Sequence, residues 1–138
     1  MITFNHHAIA HAHVNVCAHA SVHAPDNKLM LKLFPKLLYI GFTNNCICKC
    51  KTCWQAYDSD IKHISLSTDL LSHIVKHILP SVKYVLIAGG GEPMLSPLLL
   101  HFLKKLLYFR LYTTIVTSGI NINEHFCEIL SRLNSEII

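Results

Sequence analysis

The sequence predicts an α/β protein built on parallel strands, and three observations carry that prediction. Apolar runs of strand length, at 37–42, 82–88 and 111–116, alternate with amphipathic helix patterns. Each strand–helix unit takes about 30–40 residues, enough for a crossover between parallel neighbours. The chemically distinctive residues all fall directly behind the strands, on the edge where parallel α/β folds and barrels bind their ligands.

The elements follow in order. Leu37-Leu38-Tyr39-Ile40-Gly41-Phe42 is apolar and runs into a polar loop at Thr43-Asn44-Asn45. Ser67-Thr68-Asp69 offers an N-cap, and Leu70, Leu71, Ile74, Val75, Ile78 and Leu79 make the apolar stripe of a first helix that Pro80 closes. The second strand ends in Gly89-Gly90-Gly91. Ser96 and Pro97 then suit the N-cap and first turn of a second helix. That stretch, 97–109, is the most apolar in the chain, but His101, Lys104 and Lys105 interrupt it. It reads as a buried amphipathic helix, with Phe102, Tyr108 and Phe109 as core aromatics. The third strand ends at Thr117-Ser118-Gly119, Asn123 caps a helix from 124 to about 133, and Glu136-Ile137-Ile138 starts a fourth strand. Three parallel strands in sequential order, with helices on one face, are expected. The edge at 111–116 would be unpaired except for what the last few residues cover.

Composition bounds the function. Apolar types make up 51% of the 138 residues and charged types 14%, so the chain can bury a core. Twelve Lys and Arg against eight Asp and Glu give +4, but the excess is scattered and forms no basic run. Nucleic acid is therefore not an expected partner. No stretch of 18 apolar residues suggests a membrane span, and no basic segment precedes an apolar one at the N-terminus as in a secretory signal. A cytoplasmic protein is expected.

Residues 1–36 form an irregular His/Ala-rich extension, and 37–138 the domain proper. The first 25 residues contain no Lys, Arg, Asp or Glu, yet hold His6, His7, His11, His13, His19 and His23. Imidazoles ligate divalent metals, but this spacing sets no geometry, and the tract is read as a low-complexity, partly strand-like extension without a defined role. His63, His73, His77 and His101 are read as solvated or packed. Cys17 and Cys127 stand alone, Cys127 as a small buried hydrophobe.

The other four cysteines crowd together: Cys46, Cys48, Cys50 and Cys53. Thiols so close in sequence are poorly placed to bridge one another, and a reducing compartment favours a metal site. Cys46, Cys50 and Cys53 read as C-x3-C-x2-C. Three thiolates on one loop can hold three irons of a four-iron four-sulfur (4Fe-4S) cluster and leave the fourth open to a small molecule. All four thiols around a single zinc ion is the rival arrangement.

This pattern behind a first strand resembles the radical S-adenosylmethionine (radical SAM) superfamily. Gly90-Gly91-Glu92-Pro93, behind the second strand, is similar to that family's Gly-Gly-Glu-Pro motif, and Thr117-Ser118-Gly119 to its Thr-Asn-Gly turn, with Ser118 in place of Asn. The resemblance covers about 37–138 and implies a partial (βα) radical SAM barrel of three parallel strand–helix units. It implies Cys46, Cys50 and Cys53 as ligands of a 4Fe-4S cluster, and Gly90, Gly91, Glu92 and Ser118 as residues binding S-adenosyl-L-methionine, with Glu92 pairing with the ammonium group. It further implies reductive cleavage of SAM to a 5′-deoxyadenosyl radical that abstracts hydrogen from a substrate. A peptide or protein is the candidate substrate class, and flavodoxin or ferredoxin the kind of electron donor. The chain departs from the family at three points. Thr52 precedes the last cysteine where an aromatic is usual, with Trp54 on the other side and Tyr57 close by. Cys48 is an extra thiol. Only three of the six units are present, so a truncated, catalytically silent cluster-binding fragment is the alternative expectation.

Overall fold

A computed structural model describes residues 14–17, 36–53 and 62–138. The architecture is a mixed α/β sheet with three helices. Strands β1 (Val14–Cys17), β2 (Leu37–Ile40), β3 (Tyr84–Ile87), β4 (Tyr112–Ile115) and β5 (Ser135–Ile137) lie in the order β1-β2-β3-β4-β5. β2, β3, β4 and β5 are parallel, whereas β1 pairs antiparallel with β2, Val14 opposite Ile40 and Cys17 opposite Leu37. The extension thus contributes an edge strand. Its six histidines, like Trp54 and Tyr57, lie outside the described residues.

The strands form as their alternation requires. Leu38 and Ile40 in β2, Val85 and Ile87 in β3, and Thr113 and Ile115 in β4 point to one face and are buried. The register sets them side by side: Leu38 opposite Val85 opposite Thr113, and Ile40 opposite Ile87 opposite Ile115. The helices α1 (Thr68–His77), α2 (Leu99–Phe109) and α3 (Glu124–Arg132) join the same core through Leu71 and Ile74, through Leu99, Phe102, Leu103 and Leu106, and through Phe126, Ile129 and Leu130. Phe42 and Phe102 meet ring to ring at 5.4 Å, tilted by 59°. Each such side chain contributes about 1.5–3 kcal/mol by leaving water. The other face of the sheet is more open, with Tyr84 and Tyr112 edge to face across β3 and β4.

Local signals account for the helix ends. The Ser67 side chain accepts from the Leu70 N–H and that of Asn123 from the Phe126 N–H, so both expected caps are in place. The second helix starts later than expected. Ser96 Oγ takes the Leu98 N–H, but residues 97 and 98 form a turn, and α2 opens at Leu99. No glycine ends α2; Arg110 takes the left-handed conformation itself, at φ 53°.

Two expectations need correction. Tyr108 is 80% exposed, not core. It lies about two and a half turns beyond Leu99, on the opposite side of α2, while Phe102 is buried and Phe109 packs partly against the core. Cys127 is exposed as well, because Phe126 takes the inward position on α3 and its neighbour is turned to the flank. The 111–116 edge is covered, as expected, by the last residues of the chain, which form β5. β5 pairs along β4 from Thr113–Ser135 to Ile115–Ile137, and the Thr117 N–H donates to the Ile138 carbonyl at 3.0 Å. His63, His73, His77 and His101 are all exposed, as a solvated reading requires. Among the described residues, no helix is long and apolar enough to cross a membrane.

Candidate functional site

Because β2, β3 and β4 run parallel, the segments that follow them emerge at one edge of the sheet. Those segments carry the cysteines, the glycine turn with Glu92, and Thr117-Ser118-Gly119, so the topology gathers what the sequence keeps far apart.

The cysteine loop leaves β2 through a bracket of hydrogen bonds. Thr43 bridges to Ser65 as an antiparallel pair, and its Oγ1 donates to the Ile64 carbonyl at 3.1 Å while accepting from the Asn45 N–H at 3.0 Å. Asn44 pairs with Ile64 in both directions, its N–H donating to the Ile64 carbonyl at 3.0 Å and its Oδ1 accepting the Ile64 N–H at 2.7 Å. Its Nδ2 donates to the Lys62 carbonyl at 2.8 Å. Residues 62–66 therefore strap the start of the loop before α1 begins. Beyond the strap the loop is less enclosed: Cys46, Cys48 and Cys53 are half-buried and Cys50 is exposed. A turn at Lys51-Thr52 brings the Cys53 N–H to the Cys50 carbonyl at 3.0 Å. All of these thiols are free. Burial pushes the Cys46 thiol up from its ordinary range. A backbone hydrogen bond from Cys48 works against that, and the Cys48 thiol and the negative charge of Glu92 add to the rise.

The glycine turn packs against this loop. A Cβ on Gly91 would lie 2.4 Å from the Asn45 carbonyl oxygen and 2.6 Å from that of Thr43. Gly91 is thus required by a close approach between two segments of the chain itself. Gly90 is half-buried beside it in the same bend. The Glu92 N–H donates to the Asn45 carbonyl at 2.8 Å, continuing the contact.

Glu92 is buried, 3% exposed, and its carboxylate is fully engaged. Oε1 accepts from the Met94 N–H at 3.0 Å, capping the short 3-10 turn Pro93–Leu95, and from Thr117 Oγ1. Oε2 accepts from the Ser118 N–H at 2.7 Å and from Ser118 Oγ at 2.6 Å. Burial pushes the carboxyl up, but the hydroxyls of Ser118 and Thr117 and the N–H groups of Ser118 and Met94 outweigh it and hold the carboxyl below its ordinary range. Thr117 Oγ1 also accepts the Gly119 N–H at 3.0 Å, shaping the turn in which Gly119 takes φ +79°.

The expected site residues therefore come to one edge, with Glu92 bonded directly to Ser118. Thr43, Asn44 and Thr117 were not singled out from the sequence as site residues. The hydroxyl and amide side chains at strand ends were the available signal, since such groups commonly tie turns to backbone. Among the described residues, no three His, Cys, Asp or Glu gather about a point that one metal ion could occupy. The donor chemistry nonetheless suits an iron–sulfur cluster, whose thiolate ligands each go to a different iron and need not converge on a single centre. No protein-family model, no curated protein and no solved structure matches the chain.

Proposed function

We propose that this chain is a radical SAM protein, with Cys46, Cys50 and Cys53 as ligands of a 4Fe-4S cluster and the methionine end of S-adenosyl-L-methionine seated beside Gly90, Gly91, Glu92 and Ser118. The observation that carries this reading is the meeting of the two motifs: Gly91 and Glu92 lie against Asn45, the residue that enters the cysteine loop. Once bound, the cluster would supply one-electron reduction of SAM, giving the deoxyadenosyl radical that takes hydrogen from a substrate.

The chain's own residues have definite tasks in this reading. The strap from 62–66 fixes where the cysteine loop starts, the packed glycine turn holds the second motif against it, and Thr117-Ser118 sets the third turn. The fold supported here is a parallel α/β sheet, and its assignment as part of a radical SAM barrel belongs to the proposal. So do a cytoplasmic location, a peptide or protein substrate, and a flavodoxin or ferredoxin as electron donor.

The test is anaerobic reconstitution of the chain with iron and sulfide. Stoichiometric iron and sulfide are expected, lost in Cys46→Ala, Cys50→Ala and Cys53→Ala and kept in Cys48→Ala. SAM should bind the loaded chain, and reductant should release 5′-deoxyadenosine. A chain that takes up one zinc through all four thiols and no sulfide would overturn the proposal. Cluster and SAM binding without deoxyadenosine would favour the silent fragment.

A further inference from the structure

We infer that Glu92 is a positioning residue, its carboxylate committed to clamping the turn after β4 onto the turn after β3, and that the ammonium of a bound SAM is met by a different acceptor. This inference rests on the SAM reading for its second half only.

A carboxylate offers about four acceptor positions, two on each oxygen. Those of Glu92 are filled by four donors of the chain: Met94 N–H, Thr117 Oγ1, Ser118 N–H and Ser118 Oγ. Glu92 is buried, so an incoming ammonium would have to displace one of these donors and break a charge-assisted hydrogen bond already made.

Glu92 also joins all three strand ends. Its backbone N–H holds Asn45 at the mouth of the cysteine loop, its side chain caps its own turn at Met94, and the same side chain grips Thr117 and Ser118. Thr117 Oγ1 passes the grip on by accepting the Gly119 N–H. Removing the carboxylate would release the 117–119 turn from the glycine turn, and any effect on SAM would follow from misplaced Ser118.

The clamp and the ammonium ligand predict different behaviour in the reconstituted chain. Urea midpoints and the affinity for labelled SAM are measured for Glu92→Gln, for the pair Thr117→Val with Ser118→Ala, for all three changes together, and for Thr117→Ser and Ser118→Thr. Under the clamp, Glu92→Gln and the hydroxyl-deleting pair each lower the midpoint. The triple variant loses no more than Glu92→Gln does, and the hydroxyl-retaining variants keep an unfolding midpoint near that of wild type. SAM affinity falls about as far in the hydroxyl-deleting pair as in Glu92→Gln, with iron content unchanged. Additive losses of stability would overturn the clamp. So would a tenfold loss of SAM affinity in Glu92→Gln with undiminished affinity in the hydroxyl-deleting pair, because freeing the carboxylate would then have left an intact ligand. If the wild-type chain binds iron and sulfide but no SAM, the proposed function fails, while the stability coupling still decides the clamp.

Discussion

Gly91 lies so close to Asn45 that a methyl group on it would meet the Asn45 carbonyl oxygen at 2.4 Å. The glycine turn and the cysteine loop are thereby locked backbone to backbone. The atoms in the way are main chain, held in turn by the Asn44–Ile64 pairing, so they have little freedom to retreat. Spacing between the two motifs is set by this contact.

Gly91→Ala is therefore expected to cost about 1–3 kcal/mol or more, as inserting atoms into a packed site does. Gly89 is the control: a Cβ there would stand 3.1 Å from the Gly41 Cα, a contact that a small shift relieves. Urea unfolding of both variants checks the order. A Gly91→Ala chain as stable as Gly89→Ala would mean that the two segments can separate freely.

Acid should weaken the fold through Glu92. Its carboxyl titrates below the ordinary value of 4.5 in the folded chain, so the unfolded chain binds the proton more readily. The stabilisation is present in full above the unfolded value and is lost as pH falls through the lower folded value. Unfolding free energy measured between pH 6 and pH 3, taken here as a rough working window, should fall more steeply in wild type than in Glu92→Gln. Parallel slopes would show that other carboxyls carry the acid limb.

Phe102 is fully buried and packs its ring against Phe42, at the point where α2 covers the end of β2. Phe102→Ala is expected to cost about 3–5 kcal/mol, from lost burial together with the cavity left behind. Tyr108→Ala, one face away, should change stability by less than about 0.5 kcal/mol. Thermal and urea unfolding compare the two directly.

The strap makes a more local prediction. Asn44→Ala removes the acceptor of the Ile64 N–H and the donor to the Lys62 carbonyl, at a cost of about 1–3 kcal/mol if the N–H stays unpaired. Because the strap holds the mouth of the cysteine loop, Cys46 should also react faster with a thiol reagent under native conditions. Faster labelling at an unchanged unfolding midpoint would show that the strap guards the loop without supporting the fold.

Much of this architecture was legible residue by residue. Ser67 and Asn123 cap the helices that follow them because a cap is a bond to an N–H three positions away. The strands at Leu38, Val85 and Thr113 were legible from apolar runs bounded by turn residues. Tyr108 and Cys127 escaped because composition does not say which side of a helix meets the sheet. The His/Ala tract was legible as partly strand-like, but not the place of β1 in the sheet, because its antiparallel pairing with β2 is made with backbone groups.

The sequence by itself determined the elements, their order and the identity of the chemically capable residues, since those depend on side chains a few positions apart and on residue type. Tertiary structure alone decided what Gly91 and Glu92 do. Thr117 and Ser118 reach Glu92 across 25 and 26 positions, and Asn45 meets it from the strand on the other side. The cap on Met94 is local, but no local pattern encodes that Glu92 would find three further donors on Thr117 and Ser118. Only the parallel sheet, which returns each strand end to one edge, brings them within hydrogen-bond distance, and a buried carboxylate stays there because those donors replace the water it gave up.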